Sequence, residues 1–248
     1  MSLPTASEYL EAIQTPATAF GLPFLQGCQV DQNARGLPLS WSGAFATVFR
    51  VRDPQGHCHA VRCFTRRAEG LPERYRAYHT FLATAPAELQ SHLLACEYQE
   101  RGIRRPGSRP EGPWFPVIRM DWCPGTSLGA WVGEHVTSPN QLQWLQGELQ
   151  QLAASMESAR FVHGDLQHNN ILVGGNGPVL VDYDNLALPG MAALPSTTRG
   201  IPGFRHPRSG PQDPPRTQDR FAFMVLHVAL EALIRMPDLH RRWGALEG

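Results

Sequence analysis

Between Leu37 and Arg66 apolar β-branched and aromatic residues gather in short runs bounded by turn residues, whereas beyond Gly125 apolar residues recur every three or four positions. The first pattern predicts strands and the second amphipathic helices. Leu37–Trp41, Phe45–Arg52 and His57–Phe64 read as strands, with Ser42-Gly43 and Asp53-Pro-Gln-Gly56 as turns. Ahead of them Thr5-Ala-Ser-Glu8 is a capping box opening a helix through about Ile13. A helix is expected over Glu73–Leu82. Strands His92–Tyr98 and Phe115–Trp122 follow, around a loop Arg104–Pro113 rich in Pro, Gly and Arg.

In the second half, Ser138-Pro-Asn-Gln141 offers an N-cap, a first-turn proline and a capping glutamine. Leu142, Leu145, Leu149, Leu152 and Met156 then form one apolar stripe. Asn170–Val173 and Val179–Asp182 are short apolar segments turning at Gly174-Gly-Asn-Gly177. Residues 186–216 are proline-rich and loop-like. The helix starting near Thr217 or Asp219 is apolar on nearly every face, which predicts a buried helix. The outline is α+β: an N-terminal extension with a short helix (1–36), an antiparallel sheet with one helix (37–122) and a helical part (123–248). The last two would meet near residues 121–126, and clefts between lobes favour ligands.

Composition then narrows the chemistry. All 22 cations are Arg, with no Lys anywhere, against 22 acids and a formal net charge of zero. That removes Schiff-base chemistry, the lysine of a phosphate-binding Walker loop and the lysine of a protein-kinase third strand. The neutral balance gives no electrostatic reason to expect nucleic acid or a membrane surface as partner. Acids and no cationic leader at the N-terminus argue against a signal peptide. The longest apolar stretch, Phe221–Ile234, is broken by His227 and Glu231 and is too short to span a bilayer. Five cysteines without a C-x-x-C pair read as reduced thiols, so a cytoplasmic location is expected.

The strongest chemical signal is Phe161-Val-His-Gly-Asp-Leu-Gln-His-Asn-Asn-Ile-Leu-Val173 followed by Val179-Leu-Val-Asp-Tyr-Asp184. Asp165, Asn170 and Asp182 are hard oxygen ligands among apolar residues. Asp182 and Asp184, two apart at the end of an apolar strand, should project to one side. Such a set suits Mg²⁺, with phosphate and water completing its shell. Asp165 could then take a proton from an attacking hydroxyl. Any one of these residues is adequately explained as a turn former; the joint spacing points to phosphoryl transfer.

These segments resemble the catalytic loop H-R-D-L-x-x-x-N and the metal-binding D-F-G of protein kinases, as His163-Gly-Asp165 to Asn170 and Asp182-Tyr-Asp184. With A-V-R-C-F and a Y-L-E-A-I-Q-T-P leader, the chain is more similar to a divergent bacterial protein-kinase-like family than to eukaryotic kinases. The resemblance implies a bilobal protein-kinase-like fold with a β-rich N-lobe and a shortened helical C-lobe. It implies ATP and Mg²⁺ as cofactors, Asp165, Gln167 and Asn170 as catalytic residues, and Asn170, Asp182 and Asp184 as metal ligands. Ser42, Gly43, Ala44, Phe45, Ala46 and Val48 would form the phosphate loop, with Ala60 and Arg62 on the following strand. Met120 would be the gatekeeper, and the main chain of Asp121 and Cys123 would pair with adenine. Ile201-Pro-Gly-Phe-Arg-His-Pro207 resembles the end of an activation segment, which would seat a protein substrate at its Ser or Thr hydroxyl. Asp219 resembles the buried aspartate that opens the central helix.

The departures are specific. Arg62 stands in the place of a lysine and Gln167 in that of the catalytic-loop cation. Gly164 replaces an arginine, Arg208 the glutamate of A-P-E, and Trp41 and Ala46 two loop glycines. They leave open a pseudokinase that binds nucleotide or a partner protein without catalysis. A small-molecule kinase of aminoglycoside or choline type, whose loop also reads H-G-D, is a further alternative. Other features read more plainly. His163 is expected to pack as a structural histidine rather than to ligate zinc with His168. Ser196, Thr197 and Thr198 are expected in a solvated loop, Arg104, Arg105 and Arg109 in a solvated hairpin, and Cys123 as a small hydrophobe.

Overall fold

The computed structural model describes residues 2–109, 111–191, 194, 200–208, 210 and 215–243, so Ser196, Thr197 and Thr198 lie outside the described residues. The chain forms two compact units, Met1–His79 with Ala95–Trp122, and Thr80–Leu94 with Cys123–Gly248. This division differs from the one expected at residues 36 and 122 in two places, each with a physical cause.

The first place is the N-terminus. Here α1 (Ala6–Ala12), α2 (Pro16–Ala19), α3 (Pro23–Gln26) and β1 (Gln29–Val30) precede β2 (Ser40–Ser42), β3 (Ala46–Arg52) and β4 (Cys58–Phe64). Thr5 and Glu8 form the expected capping box. Tyr9, Ile13, Phe20 and Leu25 are buried in one cluster with Phe49, Val51, Val61 and Cys63 of β3 and β4. Each such side chain contributes about 1.5–3 kcal/mol by burial. Tyr9 donates its hydroxyl to the Phe64 carbonyl at 2.8 Å. The apolar side chains of α1, α2 and α3 are therefore part of this unit's core.

The second place is the segment after α4 (Leu71–Leu82) and α5 (Ala87–Gln90). The strand expected over His92–Tyr98 begins later, as β5 (Cys96–Arg104), and pairs with β6 (Trp114–Asp121). His92 is held by the second unit instead. Its Nδ1 lies 2.7 Å from the Pro178 carbonyl, and its own carbonyl accepts the Leu180 N–H at 2.8 Å.

The sheet of the first unit is antiparallel, in the order β1-β3-β4-β6-β5, with β2 also paired to β3. Gly21 lies against β5, where an added Cβ would sit 2.0 Å from the Arg101 carbonyl oxygen. Its N–H donates to the Gly102 carbonyl at 2.9 Å. In the basic hairpin between β5 and β6 Arg109 is exposed, as expected of a solvated loop, but Arg104 and Arg105 are tied down. Arg105 bridges to Glu8 at 3.2 Å, and Arg104 donates to the Thr18 carbonyl at 2.8 Å and lies over the Trp114 ring.

In the second unit β7 (Thr126–Ser127), α6 (Leu128–His135) and α7 (Pro139–Ala159) lead to the hairpin β8 (Ile171–Gly174) and β9 (Gly177–Leu180). A 3₁₀ turn (Pro202–Phe204), α8 (Pro215–Arg235) and α9 (Asp238–Trp243) follow. The α7 stripe Leu142, Leu145, Leu149, Leu152 and Met156 is buried throughout. Ser138 makes no side-chain cap, so the proline in the first turn starts this helix without the expected capping pair. The expectation that α8 is buried on nearly every face is corrected. Ala222, Leu226 and Leu230 are buried, but Met224 and Val228 are 54% and 60% exposed. Among the described residues no helix is long and apolar enough to cross a membrane.

Candidate functional site

In the second unit α7 ends at Arg160, whose left-handed backbone (φ 52°) turns the chain into Phe161 and Val162. Val162 exchanges main-chain hydrogen bonds with Ala187 at 3.1 and 2.9 Å. His163 is fully buried, and its Nε2 lies 2.9 Å from the Val181 carbonyl. Its Nδ1 accepts the Asp165 N–H at 3.4 Å, so the proton belongs on Nε2. Burial pushes the imidazole pKa down, against the pull of the Val181 carbonyl, and the ring is neutral. It packs as the structural histidine expected. Among the described residues no group of three His, Cys, Asp or Glu side chains could hold a metal ion by itself.

Asp219, at the start of α8, spans two amides, accepting the N–H of His163 at 2.6 Å and of Gly164 at 3.0 Å. Burial pushes its carboxyl up to about 7, although both amide bonds pull the other way. Gly164 has φ +78°, and a Cβ there would lie 2.3 Å from the Asn185 carbonyl oxygen. Backbone and packing thus both demand glycine where the kinase motif has arginine.

Asn170 staples the loop that follows. Its Nδ2 donates to the Asp165 carbonyl at 2.8 Å, its N–H to Gln167 at 3.0 Å, and its carbonyl accepts the Val181 N–H at 3.0 Å. These bonds fix Asp165, Asn170 and the end of β9 as one piece. The side-chain oxygen of Asn170 is turned away from the Asp165 carbonyl that its amide nitrogen binds. Asp182 follows in a left-handed conformation (φ 68°), a strain of about 1–3 kcal/mol that aspartate bears better than most residues. The expected projection of Asp182 and Asp184 to one side of a strand is corrected: β9 ends at Leu180, and the turn at Asp182 breaks the alternation. Asp184 is buried and Asp182 half-buried.

Tyr183, between them, donates its hydroxyl to the Leu180 carbonyl at 2.6 Å and accepts the Leu94 N–H at 3.0 Å. Its hydroxyl locks the turn, a role that no periodicity in the sequence signals. Gln167 carries a buried side-chain oxygen that has no hydrogen-bond partner among the described residues. Gly200 comes close to Asp165: a Cβ on it would lie 3.4 Å from Asp165 Oδ1. Phe204, four residues on, packs against the His168 ring at 5.3 Å.

In the first unit Ser42, Gly43 and Ala44 are exposed at the β2–β3 turn, where the Gly43 N–H donates to the Ala46 carbonyl at 2.9 Å. Phe45 accepts main-chain bonds from Thr65 and Arg66, which anchors the turn to the end of β4. A Cβ on Gly43 would meet nothing nearer than 3.8 Å, so packing alone does not require glycine there. The strand register puts Trp41, Val48, Arg62 and Ile118 in one row across the sheet, and Arg50, Ala60 and Met120 in the next row on the same face. The floor implied for a nucleotide thus carries Val48, Ala60, Ile118 and Met120, with Arg50 and Arg62 on the same face and Trp41 at its edge. Arg62 is buried, with its guanidinium 5.3 Å over the Phe64 ring. Burial, then Glu100 and then Glu73 in the first turn of α4 raise the Tyr98 pKa. Tyr98 pairs with Ile118, the strand neighbour of Arg62.

Asp121 donates its N–H to the Ala95 carbonyl at 3.3 Å, and its side chain is exposed. The Cys123 thiol is half-buried and its pKa is raised by burial, which suits an inert small side chain rather than a reactive thiolate. The sequence reading missed one group. Trp41 lies 5.0 Å from Trp122, and Arg50, paired with Asp31 at 2.5 Å, stands 5.1 Å over the Trp122 ring. Two tryptophans so distant in sequence carry no local signal of meeting.

No protein-family model matches the chain, and no curated protein does. Solved structures do match it. One is a homologue of Stt7 from Micromonas algae, crystallised and soaked with ATP, with a TM-score of 0.62 at 16% identity, covering 91% of this chain and 78% of that one. At that identity the likeness shows the fold, and the fold is protein-kinase-like.

Proposed function

We propose that the chain is a Mg²⁺-dependent phosphotransferase that moves the γ-phosphoryl group of ATP onto a Ser or Thr hydroxyl of a protein. The observation that carries this reading is the joining of Asp165, Asn170 and the Asp182 turn by the side chain and carbonyl of Asn170, within a kinase-like fold. The choice of ATP is supported by the Micromonas structure, which was soaked with it.

Asp165 would orient the acceptor hydroxyl and accept its proton. The hydroxyl oxygen then bonds to the γ-phosphorus as the bond to the bridging oxygen breaks and ADP leaves. Asn170 and Asp182, with Asp184, would supply hard oxygens to Mg²⁺, and phosphate and water would fill its remaining positions. When bound, Mg²⁺ draws charge off the phosphate oxygens. Arg62 would neutralise phosphate in the place of the absent lysine, as a fork rather than a point charge. Gln167 would offer an amide where the family motif has a cation. A protein acceptor is favoured over an amino alcohol because Ile201, 36% exposed, opens a short turn right after Gly200, which lies beside Asp165.

Incubation with γ-labelled ATP and Mg²⁺, against Ser/Thr peptides, aminoglycosides and choline in parallel, tests the assignment. Label is expected on the peptides; label on the amino alcohols alone contradicts the protein substrate. A pseudokinase is the second reading, favoured by Arg62 and Gln167 together, and would bind nucleotide in this assay without transferring label.

A further inference from the structure

Trp41 is a large apolar side chain left 47% exposed on the sheet face that carries Val48, Ala60 and Met120. Its position is fixed from behind. Asp31 pairs with Arg50 at 2.5 Å and with Arg52 at 3.1 Å, Arg50 lies over Trp122, and Trp122 lies against Trp41 at 5.0 Å. The two indoles are tilted by 42° rather than stacked in parallel, and about half of the Trp41 surface stays open to solvent. The adjoining β2–β3 turn is exposed, and its glycine is not required by packing.

A preorganised and partly wet indole on the face that carries Val48, Ala60 and Met120 is suited to stack on a flat aromatic base. We propose that Trp41, backed by Trp122, recognises the base of the bound nucleoside triphosphate by stacking and favours purines for their larger ring. This rests on the nucleotide-binding reading above. It gives a role to the residue that stands where the phosphate loop would have a glycine.

The test is equilibrium binding of ATP, CTP and inorganic tripolyphosphate to the whole chain and to Trp41→Ala and Trp41→Phe, with far-UV circular dichroism confirming the fold. The wild type is expected to bind ATP more tightly than CTP. Trp41→Ala should weaken ATP about tenfold or more and leave tripolyphosphate unchanged, and Trp41→Phe should restore most of the loss. If the wild type binds ATP and Trp41→Ala binds it equally well, this inference alone is overturned. If the wild type binds tripolyphosphate but shows no added affinity for ATP, base recognition is likewise overturned. If it binds no nucleotide, the phosphotransferase reading falls as well.

Discussion

The carboxylate of Asp219 accepts the main-chain N–H of His163 at 2.6 Å, joining the start of α8 to the loop that holds Asp165. Burial raises this carboxyl to about 7, far above its ordinary value. Between those two values the folded chain holds a proton that the unfolded chain releases. The contribution to stability is therefore full at low pH and is lost as pH rises towards 7. The expected loss between pH 5 and 7 is about 2 kcal/mol. Asp219→Asn should remove this slope, so that its gap from wild type narrows over that range and is constant above about pH 8. Chemical denaturation at several pH values reads this directly. A gap that stays constant between pH 5 and 7 would contradict the assignment.

Gly164→Ala should be severely destabilising. The new Cβ would sit 2.3 Å from the Asn185 carbonyl oxygen, at a backbone φ of +78°. A loss of at least about 2–3 kcal/mol is expected from the clash and the left-handed backbone combined. Urea unfolding measures it, and a loss within about 0.5 kcal/mol, the range of surface substitutions, would show that the loop can relax.

Arg62→Lys separates an adapted site from a damaged one. Arg62 is buried with its guanidinium over the Phe64 ring, an environment suited to a planar, weakly hydrated cation. Turnover is expected to fall about tenfold, equivalent to about 1.4 kcal/mol in the barrier. A gain in turnover would mean that the arginine is a defect.

Much of this was legible in the residues, for identifiable reasons. The capping box at Thr5, the α7 stripe and the β8–β9 hairpin are local patterns whose physics closes within a few residues. The spacing of His163, Asp165, Asn170 and Asp182 singled out one segment, and the hydrogen bonds of Asn170 join its parts. What escaped depends on distant partners. The segment at His92 resembles a strand by pattern, yet His92 is held by Pro178 and Leu180, and the strand begins at Cys96. Asp182 and Asp184 looked like alternating strand residues until the turn at Asp182 reoriented them. The burial of α1 to α3 against β3 and β4, and the meeting of Trp41 with Trp122, are tertiary events without periodicity.

Metal binding should depend on nucleotide. Among the described residues no three His, Cys, Asp or Glu groups form a metal site, so Asn170 and the aspartates need phosphate oxygens to complete one. Mg²⁺ alone is expected to leave the thermal midpoint unchanged, whereas ATP with Mg²⁺ should raise it above ATP with EDTA. Asp182→Asn should abolish that difference, and a shift caused by Mg²⁺ alone would contradict the proposed ligand set.

Transfer of γ-labelled phosphate to a Ser/Thr peptide by the wild type and by Asp165→Asn tests the central claim most directly. Loss of the proton acceptor should cost about 10²–10⁴-fold in rate while ATP affinity is preserved. Equal transfer by the two proteins, or none by the wild type with Mg²⁺ and ATP present, would contradict it.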